Sequence, residues 1–200
     1  MRGKAIRVAL LALVVLGAWQ VGHGVWIYAK ARLAQHLLQR AWARTLAGEA
    51  DVKPWPWADT WPVARLRVPA HQADLIVLDG VSGRTLAFGP GHAPGSAPPG
   101  AAGTAIVSGH RDTHFRFLER VRAGDEVLIE APGRPPVRFV VRETAVVDSR
   151  TAVIRRDGDT AGLALVTCYP FDAVTPGGPL RYVVVAERAP LRAAVAPARR

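Results

Sequence analysis

The chain has a single cysteine, Cys168, and one methionine among its 200 residues. One cysteine excludes an internal disulfide framework, and it leaves either a buried inert thiol or a reactive one. Lysine is nearly as scarce: only Lys4, Lys30 and Lys53 are present, so the net charge of +10 is carried almost entirely by arginine. The arginines are scattered along the chain, and no basic patch interleaved with aromatics stands out. That pattern argues against nucleic-acid binding. A basic surface suits an anionic membrane or an acidic polymer such as cell wall. There is no internal repeat. Half of the residues are hydrophobic, enough for one core-forming domain plus an appendage.

Charge is also missing from Val8 to Ala29, which follow Arg2, Lys4 and Arg7. As a helix this stretch reaches about 33 Å at ~1.5 Å per residue, enough to cross a bilayer. Trp19, Trp26 and Tyr28 fall in its second half, where an aromatic belt lies. A cleaved signal peptide needs a shorter apolar core and small residues at the cut, and Ala29-Lys30-Ala31 is a poor site. The expectation is an uncleaved, single-pass anchor over residues 1–29. A long downstream domain is exported regardless of the basic residues behind such a span, so the remainder is placed outside the cytoplasm.

Helical periodicity continues from Ala31 to Leu46. Ala34, Leu37, Leu38, Ala41, Trp42 and Thr45 share one stripe, and Arg32, Gln35, Gln39, Arg40 and Arg44 face away. Two readings stay open for the stripe: packing on the following domain, or lying on a membrane surface. Gly48 ends the helix. Lys53 to Pro62 is a Trp- and Pro-rich linker without regular structure. Residues 30–61 are thus an amphipathic helix and a linker, 62–188 a second domain, and 189–200 a C-terminal tail.

From Val63 onward, short Val-, Ile- and Leu-rich runs alternate with Gly/Pro turns, the signature of an all-β barrel or sandwich. Strands are expected at Val63–Val68, Asp74–Leu78, Thr104–Ser108, Glu126–Glu130, Val137–Asp148, Leu163–Thr167 and Leu180–Glu187. The Val137–Asp148 run is long enough to bend or split. A short helix is expected at Thr113–Val121, capped by Asp112 or Thr113. Gly89 to Gly103 reads as a surface loop.

Three polar residues fall at strand ends. His110 follows Thr104–Ser108, Cys168 follows Leu163–Thr167, and Arg181 opens Leu180–Glu187. If the last two strands are antiparallel neighbours, Cys168 and Arg181 meet on one rim, below the loop Tyr169–Pro179. A thiolate attacks amides well, whereas a free thiol with pKa ~8.5 is mostly protonated at neutral pH. An imidazole takes that proton and later returns one to a departing amine, and a guanidinium stabilises the tetrahedral oxyanion. Singly, each residue also has a structural explanation: core filler, turn hydrogen bond, sheet-edge cap. Asp112 is read as a helix cap or as an orienter of His110. His114 is the second histidine available as shuttle.

VSGHRDTHFRFLERVRAGDEV (107–127) resembles the histidine segment of sortases, LVTCYPF (165–171) their Leu-X-Thr-Cys signature, and RYVVVAERA (181–189) the arginine segment, with Arg181 thirteen residues after Cys168. LIVLDGVSGRTLAFGPGH (75–92) is similar to the family's early strands. The resemblance covers about residues 62–188 and is nearest to the Gram-negative group called class GN, or marine proteobacterial sortases. It implies an eight-stranded closed β-barrel with short helices behind an N-terminal transmembrane helix. It assigns the nucleophile to Cys168, the histidine to His110 and the arginine to Arg181, without cofactor or metal. Thr167, before the nucleophile, is expected to help bind the substrate or its oxyanion.

The implied activity is a cysteine transpeptidase that cleaves a C-terminal sorting signal through a thioacyl-enzyme and passes the product to an amine. The implied partners are the amine acceptor and a surface protein bearing that signal, with a von Willebrand-type domain. The implied location is the inner membrane, with the barrel in the periplasm. Two departures are visible: Ala164 stands where the family often has Thr, and Lys53-Pro54-Trp55 is not the Asp-Pro-aromatic lid of some pilin-polymerising sortases. A cysteine protease that releases the acyl group to water shares the same intermediate, and a non-catalytic peptide-binding barrel is the non-enzyme alternative. No Ser-His-Gly-Cys segment of the L,D-transpeptidase kind surrounds Cys168. The loops Ser149–Thr160, with Asp157 and Asp159, and Tyr169–Pro179 are the expected readers of substrate.

Overall fold

Uninterrupted apolar sequence and a long helical period produce one continuous helix, α1 (Arg2–Leu46), where two segments were expected. The computed structural model describes residues 2–154, 160–175 and 177–189. The expected tail beyond Ala189, and Asp157 and Asp159, therefore lie outside the described residues. The chain divides into two units, one up to Leu37 and one from Leu38 onward. In the first, Leu10, Leu11, Leu13, Trp19 and Trp26 are all exposed. The helix is long and apolar enough to cross a membrane.

In the second unit the last turns of α1 bury Leu38, Ala41, Trp42 and Thr45. Leu38 and Trp42 form a small core with Ile76, Leu78 and Phe88, so for these residues packing on the barrel is the reading that holds. Gly48, at φ 99°, ends the helix with its N–H on the Thr45 carbonyl. The linker is irregular but docked: the Thr60 hydroxyl donates to the Asp79 carbonyl at 2.7 Å, and Trp55 meets Phe88 edge to face.

Eight strands follow: β1 (Pro62–Val68), β2 (Ala73–Asp79), β3 (Gly91–His92), β4 (Gly103–Ser108), β5 (Glu126–Glu130), β6 (Val137–Asp148), β7 (Ala161–Cys168) and β8 (Leu180–Ala189). They close a barrel in the order β1-β2-β3-β4-β7-β8-β6-β5. The β2/β3 and β4/β7 pairs are parallel and the others antiparallel. Period-2 alternation sorts the faces. On β1, Ala64, Leu66 and Val68 are fully buried, while Arg65 and Arg67 point outward toward Asp74 and Glu130. Phe115, Phe139, Leu163 and Leu165 complete the interior, each contributing about 1.5–3 kcal/mol of burial. The long strand β6 does bend: its register with β8 shifts between Val141 and Glu143.

Two local expectations are corrected. The Gly89–Gly103 stretch is not all loop, because β3 inserts between β2 and β4 there. Only glycine fits at 91, since a Cβ would lie 2.0 Å from the Gly80 carbonyl oxygen. The helix expected at Thr113–Val121 is a 3₁₀ turn over Arg116–Arg120, with turns before it and no side-chain cap from Asp112 or Thr113. Phe117 and Leu118 within that span, and Phe115 just before it, are buried in the barrel interior.

Candidate active site

Cys168 is the last residue of β7 and Arg181 the second of β8, and the two are Cα partners across the antiparallel pair. Cross-strand partners share a face, so both sit on the outer surface of the barrel. Leu163, Leu165 and Thr167 fill the inside, whereas Cys168 is half-buried. The rim is tied by Tyr169 N–H to the Leu180 carbonyl and by Ser149 N–H to the Pro179 carbonyl. Arg181 Nη1 donates to the carbonyls of Gly178 and Leu180, both at 2.8 Å.

His110 arrives from the other neighbour of β7. Strand β4 runs parallel to β7 with Ser108 opposite Val166, and Gly109 N–H extends the ladder to the Val166 carbonyl at 3.1 Å. Two residues past Ser108, exposed His110 stands at the level of Cys168, two residues past Val166. The Thr167 hydroxyl, where a substrate contact was expected, is buried and donates to the Gly109 carbonyl at 2.7 Å.

His114 sits in the turn that Phe115 N–H closes on the His110 carbonyl. Burial and then the charge of His110 hold its imidazole below the ordinary range, against an opposing pull from Asp112. Arg111 was not singled out from the sequence. Its Nη2 donates to the Ala173 carbonyl at 2.8 Å and to the Thr175 carbonyl at 3.4 Å, linking the β4 exit to the loop after Cys168. Its position beside His110 was the only available signal. That loop also rests on an aromatic cluster of Tyr169, Phe171 and Tyr182, in which Phe171 and Tyr182 meet edge to face at 5.2 Å.

An apolar cleft of about 490 Å³ runs along the outer faces of β6, β7 and β8, lined by Ala145, Val147, Val153, Ile154, Ala164 and Val183 among others. Val147 is the Cα partner of Arg181 on β6, so one end of the cleft adjoins the Cys168–Arg181 pair. The other end carries Glu143 and Glu187. Among the described residues no group of three or more His, Cys, Asp or Glu side chains is placed to hold a metal ion.

Residues 66–189 match the family model described as the Sortase domain. The chain is 33% identical over 125 residues to Sortase D of Bacillus subtilis (strain 168), which is 62% of this chain and 62% of that relative's length, under two thirds of it. Among solved structures it resembles sortase C-1 from Actinomyces oris, with 25% identity, a TM-score of 0.58, and coverage of 65% of this chain and 74% of that one. Sortase A from Corynebacterium diphtheriae, at 23% identity, shares the fold, with a TM-score of 0.59 over 79% of this chain and 85% of that one.

Proposed function

This chain belongs to the sortase family, and we propose that it is a cysteine transpeptidase in which Cys168, His110 and Arg181 carry an acyl transfer. The observation that supports this most is the Cα pairing of Cys168 with Arg181, with His110 delivered to the same level by the parallel strand β4. The thiolate of Cys168 attacks the scissile carbonyl carbon and an oxyanion forms. Arg181 stabilises that charge. Collapse breaks the C–N bond while His110 gives its proton to the departing amine, and the acyl group stays on sulfur as a thioester. An acceptor amine then attacks the thioester carbonyl and loses its proton to His110, and the sulfur leaves as thiolate.

The cleft beside the site has the shape and apolar character to hold an extended peptide along β7. The substrate in this reading is a surface protein with a C-terminal sorting signal, of the kind with a von Willebrand-type domain. The sequence resemblance supports placing the enzyme in the Gram-negative class, and with it the barrel on the periplasmic side of the inner membrane, while α1 supports a single-pass anchor.

The test is intact-mass measurement after incubation with peptides spanning C-terminal sorting signals. The expected product is the protein plus the N-terminal peptide fragment minus one water, located on Cys168 and absent in Cys168→Ala. A chain that never acquires this adduct, while its Cys168 still alkylates freely, defeats the reading.

A further inference from the structure

Thr167 and Gly109 stand one residue before Cys168 and His110 respectively, 58 residues apart in sequence, and a single buried hydrogen bond joins them. Thr167 is only 2% exposed and its hydroxyl donates to the Gly109 carbonyl, so that group is occupied inside the barrel rather than offered to the cleft. Gly109 is held on three sides. Its N–H donates to the Val166 carbonyl, its carbonyl accepts from Thr167 Oγ1, and the Phe115 ring covers it so closely that a Cβ would lie 2.8 Å from Phe115 Cγ. The Phe115 N–H closes the turn beyond, on the carbonyl of His110.

We infer that Thr167 is a positioning residue that fixes His110 against Cys168 through the Gly109 carbonyl. One peptide unit, about 3.8 Å between Cα atoms, separates each end of the Thr167–Gly109 bond from a reacting side chain. Restraining that bond therefore restrains the imidazole relative to the sulfur. Without the hydroxyl, the Gly109 carbonyl is left buried and unpaired, and the backbone moves to find a new donor. A displacement of about 1 Å in such a pair costs on the order of 100-fold in rate. This assignment rests on reading Cys168 and His110 as the acyl-transfer pair.

The experiment compares wild type, Thr167→Val, Thr167→Ser and His110→Ala by acylation rate, by the pH profile of Cys168 alkylation with iodoacetamide, and by melting temperature. Thr167→Val keeps the shape but not the donor. It is expected to acylate about 100-fold more slowly, with its alkylation profile moved toward that of His110→Ala. Thr167→Ser, which keeps the donor, is expected to match wild type in both. A folded Thr167→Val with the wild-type rate and profile overturns the inference, as does a lower melting temperature with no change in profile. Should Thr167→Val not fold, Thr167→Ser still decides: a folded serine variant with slow acylation and a displaced profile overturns it. Wild-type protein that forms no thioester sinks the acyl-transfer reading instead, and the alkylation profiles still report on the Thr167 contact.

Discussion

Arg181 faces Cys168 across β7 and β8, yet its Nη1 is engaged by the carbonyls of Gly178 and Leu180, its own chain neighbours. The guanidinium is thus anchored by one nitrogen. Among the described residues its other N–H groups have no hydrogen-bond partner, and the planar fork carries five such groups, which on the proposed mechanism are the ones that meet the oxyanion.

Replacing Arg181 by Ala is expected to lower the acylation rate by about 100- to 1,000-fold, the range for losing an oxyanion donor. As Arg181 makes no ion pair among the described residues, the melting curve should stay near that of wild type. Stopped acylation assays with intact-mass readout check the first part, and calorimetry the second. An active Arg181→Ala enzyme would remove the arginine from the mechanism.

His114 supplies a pH dependence. Burial, aided by repulsion from His110, keeps it neutral below the pH at which a free imidazole protonates. The unfolded chain takes up that proton near pH ~6.5 and the folded chain does so only at lower pH. Stability present above this range is therefore lost as pH falls through it. His114→Gln is expected to flatten the acid side of a melting-temperature profile. An unchanged profile would show that His114 does not resist protonation.

Asp125 works in a lower window. Burial opposes its charge, but His71 Nε2 at 2.8 Å and the Arg122 N–H at 2.9 Å outweigh that and hold its carboxyl below the usual range. Its stabilisation is complete above the unfolded value of ~3.9 and disappears as pH falls through the folded one. Asp125→Asn is expected to cost about 1–3 kcal/mol at neutral pH, with wild type and variant converging in strong acid. Urea titrations at several pH values measure both.

The end of α1 belongs to the barrel's stability. Trp42 is 2% exposed and packs in the small core with Leu38, Ile76, Leu78 and Phe88. Trp42→Ala should cost about 3–5 kcal/mol. A chain beginning just before Leu38 should unfold cooperatively like the full-length protein, whereas one beginning at residue 50 should melt lower. Equal melting of the two would show that these turns contribute nothing.

Much of the barrel was legible because alternation is a local signal. Ala64, Leu66 and Val68 announce an inner face on β1, and β5 and β6 have the expected limits, Glu126–Glu130 and Val137–Asp148. Strand β3 was not legible: two residues in a Gly-Pro-Gly context carry no period, and only pairing on both sides makes Gly91–His92 a strand. The turn around Asp112 and Thr113 read as a capped helix because the local chemistry fits a cap, but burial of Phe115 and Phe117 overrode it. Proximity of Cys168 to Arg181 follows from a simple β7–β8 connection. The placement of His110 depends on the β4/β7 parallel register, which nothing local encodes.

On the proposed mechanism, that parallel pairing also governs when during folding the sulfur becomes reactive. The partners Gly109 and Thr167 are 58 residues apart, and contacts of such long range form slowly because chain closure must precede them. On the proposed mechanism, a complete but partly folded chain therefore carries an idle thiol, and Cys168 is expected to become reactive only as the barrel closes. Timed alkylation during refolding should find Cys168 behaving like that of His110→Ala until closure, and changing abruptly then.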